Sequence, residues 1–208
     1  MPRRADNTRE ELNEMVVESA RRRIAADGVE SLTARAIASD IGYAVGTLYH
    51  HFENLDAIVT AVNARTLLGL GAAFANAAKS DNPSEMLHNY ADAFLGYIHD
   101  NPRLWNALFE FKRAAGVQVP EWYVGSIARL VDVIADCFRR IDPSATHRHC
   151  VEAGQLVFAS VHSVCSLENS GRLALIMDQD IRTVVHRLVD LHIAGFSTNP
   201  GPQTPACH

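Results

Sequence analysis

Apolar side chains recur at i, i+3, i+4 and i+7 along almost the whole chain, which predicts a nearly all-helical protein. Thr8 followed by Glu11 has capping-box spacing. Leu12, Met15, Val16, Ser19, Ala20 and Ile24 then fall on one side of a helix that Gly28 stops. Two short helices follow, Thr33 to Ile41 and about Val45 to Phe52, with Gly42 between them. A fourth helix runs from about Asn54 to Ala78, and Ser84 is the expected cap of a fifth that ends near His99. Pro102 restarts the chain, and a loop is expected over 115–120. Helices from about Glu121 to Arg140, Ala145 to Glu168 and Leu175 to Ala194 complete an architecture of about nine helices. No strand pattern competes and no internal repeat is present.

The pattern divides the chain into a three-helix head, residues 1–52, a larger helical body, 53–196, and a Pro-rich tail, 197–208, expected to be unstructured. Composition fits a globular protein, with 48% hydrophobic and 21% charged residues in a chain of 208. The formal charge of −5 excludes a basic protein that coats nucleic acid, but not a local basic face. Arg3 and Arg4 lie in an N-terminal arm, Arg21, Arg22 and Arg23 late in the first helix, and Arg35 in the second. The four cysteines are too few and too scattered for a disulfide scaffold, and no pair has the CxxC spacing of a zinc knuckle. No signal-peptide pattern is present, and no run reaches the roughly 18 apolar residues of a membrane span, so a cytoplasmic protein is expected.

Two short helices joined by a Gly-containing turn, behind a longer one, have the form of a helix-turn-helix, though any small helical bundle produces similar spacing. The specific signal lies in Gly28-Val29-Glu30-Ser31-Leu32-Thr33-Ala34-Arg35-Ala36-Ile37-Ala38, then Ile41-Gly42-Tyr43, and above all Gly46-Thr47-Leu48-Tyr49 before His51-Phe52. Over about residues 12–62 this resembles the DNA-binding head of the TetR family of bacterial transcriptional repressors. In the body, Trp105 with Phe109, and the stretch Leu156 to Ser163, resemble a subgroup with a Trp…His-Gly signature, here with Phe158 at the Trp position and Ser163 at the Gly position. The head departs from the family pattern at Ala44, usually Ser, which removes a helix cap. It departs again at Leu55, often Lys, which removes a phosphate contact.

The resemblance implies that the third helix enters the major groove of double-stranded operator DNA. Ala44, Val45, Thr47 and His50 are the residues expected to face base edges, with Ala44 and Val45 suited to a thymine methyl. Tyr49 is the expected phosphate contact. Thr33, at the start of the second helix, offers a hydroxyl and free N–H groups to another phosphate. Tyr43 and Arg35 are further backbone contacts, and Arg3 and Arg4 form an arm that could reach a minor groove. Leu48 and Phe52 read as core and His51 as a structural partner.

The family further implies a homodimer and a body that binds a small effector. Leu156, Val157, Val161 and Val164 on one helix, with Ile181, Val184, Leu188 and Leu191 on the last, supply apolar stripes for a four-helix dimer interface; the same stripes also fit internal core. Phe94, Trp105, Phe109, Trp122, Phe158 and His162 are the expected lining of an apolar effector cavity, with His99, Ser160, Asn106 and Gln155 as further polar candidates.

Enzymatic and metal chemistry finds little support. His147 and His149 are two apart on a helix and face different ways. His162 and Cys165 have no evident third group, and Gly69-Leu70-Gly71 lies inside a helix rather than after a strand. No cofactor or metal is expected. The reading is a ligand-responsive repressor released from a palindromic operator by a small apolar molecule. The alternatives are a regulator whose body is a protein-interaction or dimer scaffold, and a helical binder that has lost DNA recognition.

Overall fold

The computed structural model describes residues 7–110 and 120–198. Arg3, Arg4, Cys207 and residues 199–208 of the expected tail lie outside the described residues. Among the described residues the fold is all-α. Its helices are α1 (Arg9–Asp27), α2 (Ala34–Ile41), α3 (Val45–His51), α4 (Leu55–Ala77), α5 (Pro83–Asp100), α6 (Pro102–Glu110), α7 (Glu121–Ile141), α8 (His147–Asn169) and α9 (Ile181–Thr198). Short 3-10 turns occupy Val29–Ser31 and Leu173–Leu175.

Local chemistry sets most of these boundaries. Thr8 and Glu11 form a reciprocal capping box, with the Thr8 N–H donating to Glu11 Oε2 at 2.8 Å. Gly28 ends α1 at φ 83°, in the region that favours glycine. Two expected starts are corrected. The cap of α5 is Asn82, whose Oδ1 accepts from Ser84 N at 2.9 Å, because Pro83 occupies the first helical position and needs no hydrogen bond. α9 begins at Ile181 rather than Leu175, because Asp180 takes the Thr183 N–H at 3.1 Å and its hydroxyl at 2.6 Å and so ends the preceding segment.

The described chain forms two compact units. The first comprises residues up to Leu68 together with Asn101–Val119, so it takes in α1–α3, most of α4, and α6. Its core joins Leu12, Val16, Ile24, Ile37, Leu48, Ile58, Val59 and Val62, with Leu104 and Ala107 contributed by α6. Three polar ties brace it. Arg23 clamps Asp40 through two hydrogen bonds of 2.6 and 2.5 Å, and the buried Ser19 adds a third at 2.8 Å. Those bonds hold the Asp40 carboxyl below its ordinary range, the Arg23 hydrogen bond first and Ser19 second. Arg65 grips Glu14, with Nη1 at 2.7 Å from Oε1. Arg103 donates to the carbonyls of Ala25 and Ala26, satisfying the acceptors at the end of α1.

The second unit comprises residues 69–100 and 120–208, of which 69–100 and 120–198 are described: the end of α4, α5, α7, α8 and α9. α7 and α8 pack closely because Gly154 has no side chain; a Cβ there would lie 3.0 Å from the Val131 carbonyl oxygen. Aromatic pairs fill this unit, including Phe74 stacked on Tyr90 at 5.0 Å and Phe138 against Phe196 at 4.8 Å. An ionic seam joins α5 to α9. Arg182 makes a bidentate pair with Asp92 at 2.9 and 2.7 Å, His186 reaches the same carboxylate at 2.7 Å, and His88 reaches Asp190 at 2.9 Å. Cys137, Cys150 and Cys165 are buried free thiols. Burial raises all three, Cys137 to about 11 and Cys165 to about 12.

The expectation that no segment is apolar enough to span a bilayer is corrected on length and composition, which α4 and α8 both meet. Their apolar faces are used internally: Ile58, Val59, Val62, Leu70 and Phe74 of α4, and Ala153, Val157, Val161 and Cys165 of α8, are buried.

Candidate nucleic-acid interface

α2, the turn at Gly42 and α3 form a helix-turn-helix. Thr33, extended at φ −133°, caps α2 by accepting from Ala36 N at 3.2 Å. Gly42 closes α2 in the left-handed region at φ 73° and ψ 27°. The Tyr43 N–H then bonds to Ala38 O at 3.0 Å, which reverses the chain within a few residues. Ala44 stands at the N-cap of α3 without a side-chain hydrogen bond, so the terminal N–H groups there lack the usual hydroxyl.

α3 is only seven residues long and is held by one fully buried side chain, Leu48. Val45 and Phe52 pack partly against the same core. His51 is tied to α1 through Nδ1, 2.9 Å from Asn13 Oδ1, which makes it a positioning residue. The opposite surface carries Ala44, Gly46, Tyr49 and His50, all exposed, and Thr47, partly exposed. Arg35 is exposed on α2 and makes no ion pair among the described residues. Thr33 is exposed as well, but its hydroxyl oxygen already serves its own helix. Tyr43 is partly buried, and its hydroxyl accepts from Asn7 Nδ2 at 3.1 Å. Within the Arg21–Arg23 run, Arg21 pairs with Glu18 at 2.9 Å and Arg23 with Asp40, leaving Arg22 exposed. Asn7, Asn13 and Asp40 therefore position the interface, and only their three-dimensional neighbours reveal it.

The expected effector residues do not come together on one cavity. Phe94 and Phe158 do meet, edge to face at 5.6 Å, and both line an apolar cavity with Phe74, Leu87, Tyr90 and Val161. That cavity has a volume of about 20 Å³, roughly enough for one water. Trp105 and Phe109 lie on α6 in the first unit, 5.3 Å apart, with Trp105 buried. Trp122 is 50% exposed at the start of α7, and His162 is partly buried on α8, its pKa lowered by burial. Sequence reading passed over Phe74, Leu87 and Tyr90. Their spacing within otherwise ordinary amphipathic helices carried no separate signal.

The expected dimer residues also separate. Val157, Val161, Val164 and Val184 are buried within a single chain, because α8 and α9 turn those faces toward their own unit. Leu156 and Leu191 are 53% and 62% exposed, and Ile181 and Leu188 are partly exposed.

Comparison with known proteins places this architecture. Residues 16–62 match the family model for bacterial regulatory proteins of the tetR family. Residues 87–192 match the tetracyclin repressor-like C-terminal domain. The chain belongs to the TetR family of bacterial regulators and is a DNA-binding transcription regulator by that membership. No curated protein sequence matches it. Among solved structures, a Rhodococcus sp. RHA1 protein of unknown function is similar with a TM-score of 0.72 and 19% identity, covering 93% of this chain and 98% of that one. RolR in complex with resorcinol has a TM-score of 0.65 at 17% identity, covering 95% and 96%. BioQ with its double-stranded DNA operator has a TM-score of 0.61 at 18% identity, covering 88% and 98%. At these identities the likeness is one of fold.

Proposed function

We propose that the protein is a ligand-responsive repressor that acts in the cytoplasm and binds a palindromic operator as a homodimer. The observation that carries this reading is the two-sided character of α3: Leu48 anchors it from below, while Thr47, Tyr49 and His50 are presented to solvent on a braced helix pair. A helix held this way can lie in a major groove, with Ala44 against a thymine methyl and Thr47 and His50 on polar base edges, while Val45 is turned partly to the core. Tyr49, Arg35 and the α2 terminus at Thr33 then grip phosphates, with Tyr43 beside them and Arg3 and Arg4 as the arm. No Arg or Lys lies on α3, so discrimination per half-site is modest and two half-sites are needed.

Leu156 and Leu191, exposed on α8 and α9, with Leu188, are the apolar surface a second copy would cover, while Ile181 lines an opening between α5, α8 and α9 instead. The effector in this reading is a small apolar or aromatic molecule seated among Phe74, Tyr90, Phe94 and Phe158, as resorcinol is the ligand in the RolR complex. The Trp…His-Gly subgroup likeness agrees with a body of this type. The small cavity volume favours one alternative, a body that serves as a dimer or protein-interaction scaffold without an effector. Selection of bound sequences from genomic DNA with purified protein, followed by a screen of neutral aromatics for release, tests both. The repressor reading requires a palindromic site and at least one releasing compound. Absence of preference for any duplex at low salt overturns it, and a palindromic site with no releasing compound leaves the scaffold.

A further inference from the structure

The second unit contains a larger opening that the effector reading does not use. It lies where the ends of α5 and α8 meet the start of α9, and its volume is about 420 Å³, within the range of small-molecule sites. Its floor is apolar: Leu95, Ile98, Cys165 and Ile181. The rest of its lining is largely polar: Asp92, His99, Glu168, Asn169 and Arg182. Asp92 and Arg182 neutralise one another through their bidentate pair. Glu168 is exposed and makes no ion pair among the described residues, so of the lining's carboxylates it is the one left unpaired.

The helix ends reinforce that sign. α5 stops at Asp100 and α8 at Asn169, so two C-terminal ends, each with partial negative charge, adjoin the opening. The one N-terminal end, that of α9, is already answered by the Asp180 carboxylate. Gly96 is a further sign that the space is kept open. It sits inside α5, where glycine is the poorest helix former after proline. No left-handed φ and no neighbour within 4 Å of a built Cβ requires glycine there.

We propose that this opening is a second small-molecule site, for an amphipathic monocation that rests an apolar body on Leu95, Ile98 and Ile181 and places an ammonium group at Glu168. The site stands apart from the apolar cavity and does not depend on the repressor reading.

Isothermal titration calorimetry on the full chain with three probes of similar size tests it: 2-phenylethylammonium, 2-phenylethanol and phenylacetate. The cation is expected to bind about ten-fold more tightly than either of the others, as one charge-assisted contact provides. Glu168→Gln removes most of that preference. Gly96→Leu fills the opening and abolishes cation binding, while its melting temperature stays at or above the wild-type value, since leucine favours helix. Val161→Ile, in the apolar cavity, leaves the cation affinity unchanged. Equal affinity for the three probes overturns the proposal, as does undiminished cation binding by Gly96→Leu.

Discussion

The two units solve opposite problems with the same helical material. In the first, the core side chains of α1–α4 are almost wholly excluded from solvent, and each element is cross-tied: Arg23 to Asp40, Arg65 to Glu14, His51 to Asn13, Arg103 to the end of α1. In the second, α5, α7, α8 and α9 leave an apolar cavity, a wide opening and exposed leucines. A surface that must meet base edges within hydrogen-bond distance gains from rigidity. A body that takes up an effector, as proposed for the second unit, needs unfilled space and elements with more than one arrangement. The contrast lies in unfilled space rather than in helix content or polar ties, which the α5–α9 seam supplies in the second unit as well.

The largest test of this contrast is Leu48→Ala. Deleting the one buried anchor of α3 is expected to cost about 3 kcal/mol in chemical denaturation and to abolish DNA binding. A matched pair comes next. Val59→Ile inserts a methyl into a filled core and should destabilise by about 1–2 kcal/mol, whereas Val161→Ile grows into the apolar cavity and should stabilise by up to about 1 kcal/mol. Equal signs in thermal denaturation would erase the distinction between the units. Tyr49→Phe removes a hydroxyl from an exposed position, so operator affinity should fall about five-fold with no change in melting temperature. Ala44→Ser restores the missing cap and should stabilise by about 0.5–1 kcal/mol.

The smallest effect is confined to acid. The Asp40 carboxyl is held below its ordinary value, so its contribution is present at neutral pH and is lost as pH falls below about 4 through the folded value. Asp40→Asn should flatten that part of the stability profile measured by pH-dependent melting.

Helix identity was legible because its signals are local. Thr8 with Glu11, Thr33, Gly28 and Gly42 act within a few residues, and each stands where its spacing predicts. The misplaced starts of α5 and α9 also have local causes, since Asn82 and Asp180 compete as caps with neighbours of similar type. The exposure of Ala44, Thr47 and His50 was readable because a short helix with one buried side chain leaves few choices, but Val45, expected to face outward with them, packs partly against the core. The body was less so. Aromatic residues at helical spacing announce burial but not against what, so Phe94 and Phe158 reach the cavity while Trp105 is buried on α6 in the other unit. The valine stripe of α8 is wide enough to serve either its own core or a partner, and burial assigns Val157, Val161 and Val164 to the former.

The depth of Cys137, Cys150 and Cys165 has a chemical consequence. With their thiols pushed upward, two of them to about 11 and 12, almost no thiolate exists at physiological pH, and peroxide or an alkylating reagent finds little to attack. The folded protein should therefore keep these three sulfurs reduced through an oxidative burst, and its operator occupancy should not follow the redox state of the cell through them.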